Sequence, residues 1–281
     1  MAKHSDYVVQ SNTIINITMR KDYLQSSNIQ ENEIDFIERY WTEIWDKEGG
    51  PQGEFKKISS KPEYKLIKPY LAKLAGTATL VDGGCGLGDW TGFFASLGFN
   101  IIGVDISKKT VELLNQRFTD IKFIAGDIRN LNLPDNSVDA YFSWGVFEHF
   151  EEGLQPCIKE ALRILKPGGM LFITVPADNI RMALRGTLAK YSNESTNKSH
   201  RLYQWRLTRL ELAQELAIGG FKLDFIKPIH KRQGILRSLH HEFGLPYDWF
   251  FTRALSVLLT PFIPSIIVAH MHIAVSHKPN N

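Results

Sequence analysis

Four glycines close an apolar run at Thr79-Leu80-Val81-Asp82-Gly83-Gly84-Cys85-Gly86-Leu87-Gly88, and an acidic residue, Asp105, follows the last of them by 17 positions. Glycine is needed where backbone turns sharply and lets a ligand come close. A carboxylate one strand later stands where it accepts hydrogen bonds from the two hydroxyls of a ribose. Asp127 ends the next apolar run and would face an adenine amino group, with Ile106 and Ile128 closing on the faces of the ring. Asp82 would meet a cationic amine, directly or through water. Together these residues describe a pocket for a nucleoside cofactor.

The glycine spacing separates two such cofactors. A nicotinamide dinucleotide asks for G-x-G-x-x-G, with its pyrophosphate on a helix N-terminus. Here the glycines read Gly84-Cys85-Gly86-Leu87-Gly88, and Asp89 stands where the third dinucleotide glycine would fall. A carboxylate opening that helix repels a pyrophosphate. It does not repel a ligand bearing a sulfonium and an ammonium, as S-adenosylmethionine does.

Short apolar runs alternating with helical patterns must position these groups. Strands are expected at Leu80–Asp82, Asn100–Asp105, Lys122–Asp127, Val138–Trp144 and Met170–Val175, with helices at Trp90–Leu97, Lys108–Phe118 and Leu154–Leu165 between them. Such alternation implies a parallel sheet with helices on both faces. Ligands then bind beyond the carboxyl ends of the strands, where strand order reverses. A helix at Leu210–Ile218, a strand at Phe221–Ile226 and a final antiparallel edge strand at His270–Val275 complete the pattern, and residues 177–206 show no strand signal.

Several of these segments resemble the motifs of class I S-adenosylmethionine-dependent methyltransferases. Val81 to Gly88 looks like the first motif, Val104-Asp105-Ile106-Ser107 like the ribose-binding element, and Ala125-Gly126-Asp127-Ile128 like the adenine-binding element. Ser137 to Trp144 with Phe147-Glu148-His149 is similar to the fourth-strand motif, and Leu162 to Leu171 to the helix-turn-strand after it. The broad type 11 group, which includes quinone-biosynthesis methyltransferases, is the subgroup most resembled. Gly83 departs from the pattern, because the family more often has a larger apolar or small polar residue there. The resemblance implies a Rossmann-like, seven-stranded, mostly parallel α/β fold. It also implies cofactor contacts from Asp82, Gly83, Gly84, Gly86, Asp105, Ile106, Asp127, Ile128, Ser143 and Trp144, with no metal. Its motifs say little about the acceptor.

Methyl transfer from a sulfonium is an in-line displacement, and alignment of acceptor and methyl carbon supplies much of the rate. A hydroxyl acceptor also needs its proton removed, and His149, just after the fourth strand, is the candidate base. The family resemblance gives acceptor choice to N-terminal helices and to insertions after the fifth and sixth strands. Residues 33–76 read as a helical cap in which Tyr40, Trp41 and Trp45 form a lid, and residues 1–32 as a polar, loosely docked arm. Residues 77–281 form the methyltransferase domain, with insertions at about 177–206 and 229–267.

The first insertion carries Arg181, Arg185, Lys190, Lys198 and Arg201, which suit a phosphate or carboxylate on the acceptor. In the second, Lys227 to His241 is basic, and Leu245 to Leu259 opens on Pro246 and continues as a Trp/Phe/Leu helix. That pairing suits a membrane interface through 229–262, an amphiphilic substrate, or a dimer contact. Lipid-linked, quinone-like and saccharide acceptors all fit.

The remaining composition excludes more than it specifies. A net charge of +3 on 281 residues is too small to point to nucleic acid, and no Asn/Asp-Pro-Pro-aromatic tetrapeptide follows the fourth strand. Two cysteines, Cys85 and Cys157, form no disulfide framework or zinc set. The N-terminus lacks the apolar core of a signal peptide, and the uncharged run from Ala254 to His277 is broken by Pro261, Pro264 and two histidines. A cytoplasmic protein, with peripheral membrane contact at most, is expected. The expected function is O-methylation of a small or amphiphilic molecule. The alternative is a catalytically silent scaffold that keeps the cofactor fold.

Overall fold

The computed structural model describes residues 19–25, 30–53, 55–188 and 200–280. Its centre is a seven-stranded sheet in the order β4-β3-β2-β5-β6-β9-β8. The strands are β2 (Thr79–Gly83), β3 (Asn100–Asp105), β4 (Lys122–Ala125), β5 (Val138–Trp144), β6 (Leu165–Pro176), β8 (Lys222–Ile229) and β9 (Met271–His277). The first five run parallel, and β9 is antiparallel to both of its neighbours. The order reverses between β2 and β5, which places the crevice at the carboxyl ends of those two strands.

Strand residues alternate between two apolar layers. Val81, Val104, Tyr141 and Ile173 face helices α5 (Gln155–Ile164) and α7 (Arg209–Ile218). Leu80, Ile101, Phe142 and Phe172 face α2 (Pro62–Leu71) and α3 (Asp89–Ser96). Burial on both faces is what makes these strands read as nearly continuous apolar runs. Helix α4 (Lys108–Arg117) covers the outer end of the sheet, with Leu114 packed on Phe123.

Two expectations change here. The final strand is interior, paired with β6 from Met170↔His277 to Pro176↔Met271, and β8 forms the edge. Residues 200–206 also form a strand, β7 (His200–Arg206), which pairs antiparallel with β1 (Arg20–Gln25) in a separate two-stranded sheet. Part of the N-terminal arm is therefore docked, from Arg20↔Arg206 to Gln25↔His200. Lys190 and Lys198 lie outside the described residues.

The N-terminal cap opens with α1 (Glu33–Lys47), capped by Asn32, whose side chain accepts from Asp35 N. The second insertion is helical: α8 (Lys231–Phe243), α9 (Phe250–Leu259) and the short α10 (Ser265–Val268) follow α6 (Ile180–Leu188) and β8 in the chain. Among the described residues, no helix is long and apolar enough to cross a membrane.

Candidate active site

The turn after β2 is built from left-handed glycines. Gly84, Gly86 and Gly88 have φ of +78°, +52° and +77°, a region that costs most other residues energy. Gly84 N and Cys85 N both donate to Val104 O at 2.8 Å, which fixes the loop to the neighbouring strand. Gly86 N donates to Asp105 Oδ2 at 2.8 Å, and Ser107 N to Asp105 Oδ1 at 3.0 Å. The Asp105 carboxylate is thus held by two backbone donors at the mouth of the turn. Burial raises its pKa, and those N–H groups oppose the rise.

A cleft opens above this turn. Its floor and walls are Gly84, Asp105, Ile106, Gly126, Asp127, Ile128, Trp144, Gly145, Val146, His149 and Phe150, and its roof is Ile37, Trp41 and Trp45 of α1. Of the residues expected at the cofactor, Gly84, Asp105, Ile106, Asp127, Ile128 and Trp144 line this cleft together, and so does His149. Trp41 and Trp45 stack on each other at 5.2 Å between ring centroids. Ile37, Gly126, Gly145, Val146 and Phe150 also line the cleft without having been expected there. Gly126 and Gly145 sit beside the expected Asp127 and Trp144, and Ile37 lies on the helical stripe of α1.

Four expected residues lie beneath the cleft lining. Asp82 is fully buried, and Thr91 Oγ1 donates to its Oδ2 at 2.7 Å. Its Oδ1 has no partner, and burial pushes its pKa up to about 7. Ser143 Oγ donates to Gly83 O at 2.8 Å, tying β5 to β2. A Cβ on Gly83 would fall 2.0 Å from the Tyr141 hydroxyl, so Tyr141 occupies the volume that a larger residue at this position would need. Gly86 is covered by Trp45.

Asp127 is engaged differently from expectation. Arg129 grips its carboxylate through Nε and Nη2, at 3.0 and 2.8 Å to Oδ2. The same guanidinium donates to Glu33 Oε2 at 2.6 Å and lies 4.3 Å from the Phe150 ring centroid. Arg129 therefore fastens the first turn of the roof helix to the Asp127 side of the floor. Thr42 Oγ1 lies 2.7 Å from Ser107 Oγ, a second tie along the same helix.

His149 stands where roof and floor meet. Its Nδ1 is 2.5 Å from Tyr203 O, so Nδ1–H donates to that carbonyl and Nε2 is the basic nitrogen. Burial lowers its pKa to about 4, against the pull of the Tyr203 and Gly145 carbonyls. Trp41 meets the imidazole edge-on at 5.0 Å, and Tyr203 lies at 5.3 Å. Next to it, Glu148 is 1% exposed, has an unpartnered Oε2, and is pushed up to about 8 by burial.

Polar groups at and beneath the cleft are left without partners. Among the described residues, the indole N–H groups of Trp45 and Trp144 and Oδ1 of Asp82 are buried and have no hydrogen-bond partner. Asp105 keeps acceptor capacity beyond its two backbone donors. Among the described residues, no cluster of His, Cys, Asp and Glu is arranged to hold a metal ion.

The chain is similar to known methyltransferases in sequence and fold. Residues 81–173 match the family model described as a methyltransferase domain. A probable S-adenosylmethionine-dependent methyltransferase of Mycolicibacterium smegmatis is 26% identical over 161 residues, 57% of this chain and 58% of that protein. The malonyl-[acyl-carrier protein] O-methyltransferase of Pectobacterium atrosepticum is 28% identical over 35% of this chain and 39% of its own length. The tRNA (carboxymethyluridine(34)-5-O)-methyltransferase of Arabidopsis thaliana is 31% identical over 40% of this chain and 28% of its own length. The chain thus spans less than two thirds of the length of each of these relatives. Phosphoethanolamine N-methyltransferase 2 of Haemonchus contortus, solved with S-adenosyl-L-methionine, superposes with a TM-score of 0.58 at 17% identity, covering 89% of this chain and 60% of that one. With the seven-stranded sheet and the glycine turn already in place, residues 81–173 are similar to the methyltransferase domain of S-adenosylmethionine-dependent relatives, and the chain shares the fold of solved methyltransferases.

Proposed function

We propose that the protein transfers a methyl group to a hydroxyl of a small or amphiphilic acceptor, with His149 as the general base. The observation that carries this reading is the neutral imidazole in the cleft wall. Its Nδ1 is committed to the Tyr203 carbonyl, which leaves Nε2 to take a proton.

S-adenosylmethionine supplies the electrophilic methyl group. Asp105 would take the ribose hydroxyls, Ile106 and Ile128 the faces of the adenine, and Asp127 its amino group, shared with Arg129. Backbone at Gly84 and Gly86 would follow the amino-acid tail, with the orphaned Oδ1 of Asp82 nearby for its ammonium. The indole of Trp144, which lines the cleft, would bound the methyl end.

An imidazole depressed to about 4 is a weak base. Proton transfer is efficient when donor and acceptor pKa values are close. The site therefore favours an acidic hydroxyl, such as a phenol or an enol, over an aliphatic alcohol. The rings of Trp41, Trp45 and Phe150 in the cleft lining beside His149 suit a flat apolar acceptor. An amphiphilic acceptor, lipid-linked or saccharide-bearing, draws on the apolar and basic 229–262 segment. The expected cations of the first insertion are less free: Arg181 pairs with Glu242, and Arg201 donates to the carbonyls of Glu31 and Asn32. Nucleic acid is the less favoured acceptor, on a net charge of only +3.

The test is incubation with methyl-labelled S-adenosylmethionine and a panel of phenols, enols, quinols, lipid-linked saccharides and transfer RNA. The carbon-13 shift of the transferred methyl reads the atom modified. Label on a phenolic or enolic oxygen, lost by at least tenfold in His149→Phe, is the expected result. Label on nitrogen or carbon, or undiminished turnover in His149→Phe, would overturn the reading.

A further inference from the structure

The helix α9 is folded inside out. Its two hydroxyl residues point inward: Thr252 is 1% exposed and Ser256 0% exposed, one helical turn apart on a single face. Thr252 Oγ1 has no hydrogen-bond partner there. Most apolar residues of the same helix point outward: Phe250 is 74% exposed and Leu258 66%, while Leu259 packs inward. A helix that packs only against its own protein in water turns its apolar stripe to the core.

The exposed surface continues past the helix ends. Phe243 and Trp249 precede it and Phe262 follows it, and every exposed Phe and Trp among the described residues lies between 243 and 262. Contiguous exposed apolar surface of this kind marks an interaction site. The positions are held firmly. Ile235 and Leu239 of α8 form a small core with Val268, against which Leu245, Leu259 and Ile263 pack, so α9 is anchored by its inner side. Gly234 lets α8 approach so closely that a Cβ there would fall 1.5 Å from Val268 O.

Charge selects the occupant. Lys227, Lys231, Arg232 and Arg237 lie on β8 and α8, and none has a carboxylate partner among the described residues. The two acids of the segment are already used, Glu242 by Arg181 and Asp248 by Arg253. An isologous contact with a second copy would bring these cations toward their own equivalents. An anionic bilayer surface instead supplies both an apolar layer for the Trp/Phe/Leu face and negative charge for the lysines and arginines.

We propose that the outward face of α9, with its flanking aromatics, docks this protein on an anionic membrane surface. The inference stands apart from the role of His149. It rests on the exposed face, the buried hydroxyls and the unpaired cations.

Cosedimentation of the full chain with vesicles tests it, using phosphatidylcholine alone against phosphatidylcholine with a third phosphatidylglycerol. Binding to the anionic vesicles only, weakening as salt rises, is expected. The double variant Phe250→Ser/Phe251→Ser should lose at least tenfold in vesicle affinity. Its melting temperature and S-adenosylhomocysteine affinity should be unchanged, because both rings are solvent-exposed. Lys231→Glu/Arg232→Glu should reduce binding in the same way and flatten its salt dependence. Failure of the wild type to bind anionic vesicles at low salt, or equal binding by the serine variant, overturns the proposal. So does sedimentation equilibrium showing a dimer that the serine variant breaks without any vesicle binding, since a second copy would then be the occupant. Retained S-adenosylhomocysteine binding in any of these outcomes separates them from failure of the cofactor site.

Discussion

The indole of Trp45 rests on Gly86: a Cβ built on that glycine would lie 2.9 Å from Trp45 Cζ2. One residue of the roof helix thus covers one residue of the glycine turn, and the absence of a side chain at position 86 sets how low the roof can sit. Gly86→Ala meets this ring and also has to hold a φ of +52°. Its affinity for S-adenosylhomocysteine should fall by at least about tenfold, or about 1.4 kcal/mol. Titration calorimetry checks this, and Gly86→Ala combined with Trp45→Ala should regain only the steric part of the loss.

Asp105→Asn keeps the shape of the side chain but presents an amide N–H₂ to one of two backbone donors, Gly86 N or Ser107 N. A buried donor left unpaired costs roughly 1–3 kcal/mol. The substitution should weaken S-adenosylhomocysteine binding by an order of magnitude or more and lower the melting temperature. A variant that binds as tightly as the wild type would remove Asp105 from the ribose site.

The acid limb of the rate profile should lie low. His149 takes up a proton only near pH 4, so its Nε2 remains available through the neutral range. The rate at saturating acceptor should stay flat on acidification to about pH 5 and fall below it. Stability follows the same group. The native pKa is depressed below the ordinary imidazole value of 6.5, so the unfolded chain binds the proton first and stability is lost as pH falls from 6.5 toward 4. An acid limb centred near 6.5 would place the imidazole in water and the base elsewhere.

Glu148 acts with the opposite sign. Its native pKa is pushed up from 4.5 to about 8, so its contribution is fully present below 4.5 and is lost as pH rises through about 8. Glu148→Gln removes that titration. The variant should melt at least about 3 °C above the wild type near pH 8.5 and within about 1 °C of it near pH 5. Scanning calorimetry at both pH values decides it, and an equal shift at both would mean that the carboxyl is not the titrating group.

The placement of the candidate cofactor residues was legible because it is local. Gly84 to Gly88, Asp105 and Asp127 stand at or just beyond the ends of β2, β3 and β4, positions that short-range backbone rules already set. The pairing of Arg129 with Glu33 was not legible, because it joins α1 to the segment after β4 across 96 residues of chain. The strand β7 escaped notice for another reason. Its inward positions are Leu202, Gln204 and Arg206, and the last two bind Asp22 of β1. A strand that buries polar side chains against a salt-bridged partner shows no apolar alternation. The lid residues Trp41 and Trp45 were visible as a helical stripe, but a stripe does not say which surface it covers. The place of β9 between β6 and β8 is equally silent in the sequence, since its alternation is the same for an edge strand as for an interior one.

That placement has a consequence for how the chain reaches its native state. β6 and β8 touch only through β9, which is synthesised after both of them and after the whole helical insertion. Until residues 271–277 emerge, β6 presents a row of unpaired N–H and C=O groups on one side, and β8 has no strand beside it at all. Pairing between elements so far apart in sequence is slow to form. Exposed strand edges during that interval are templates for wrong partners. On the ribosome, the cofactor half can be complete while the far edge of the sheet still waits for its keystone.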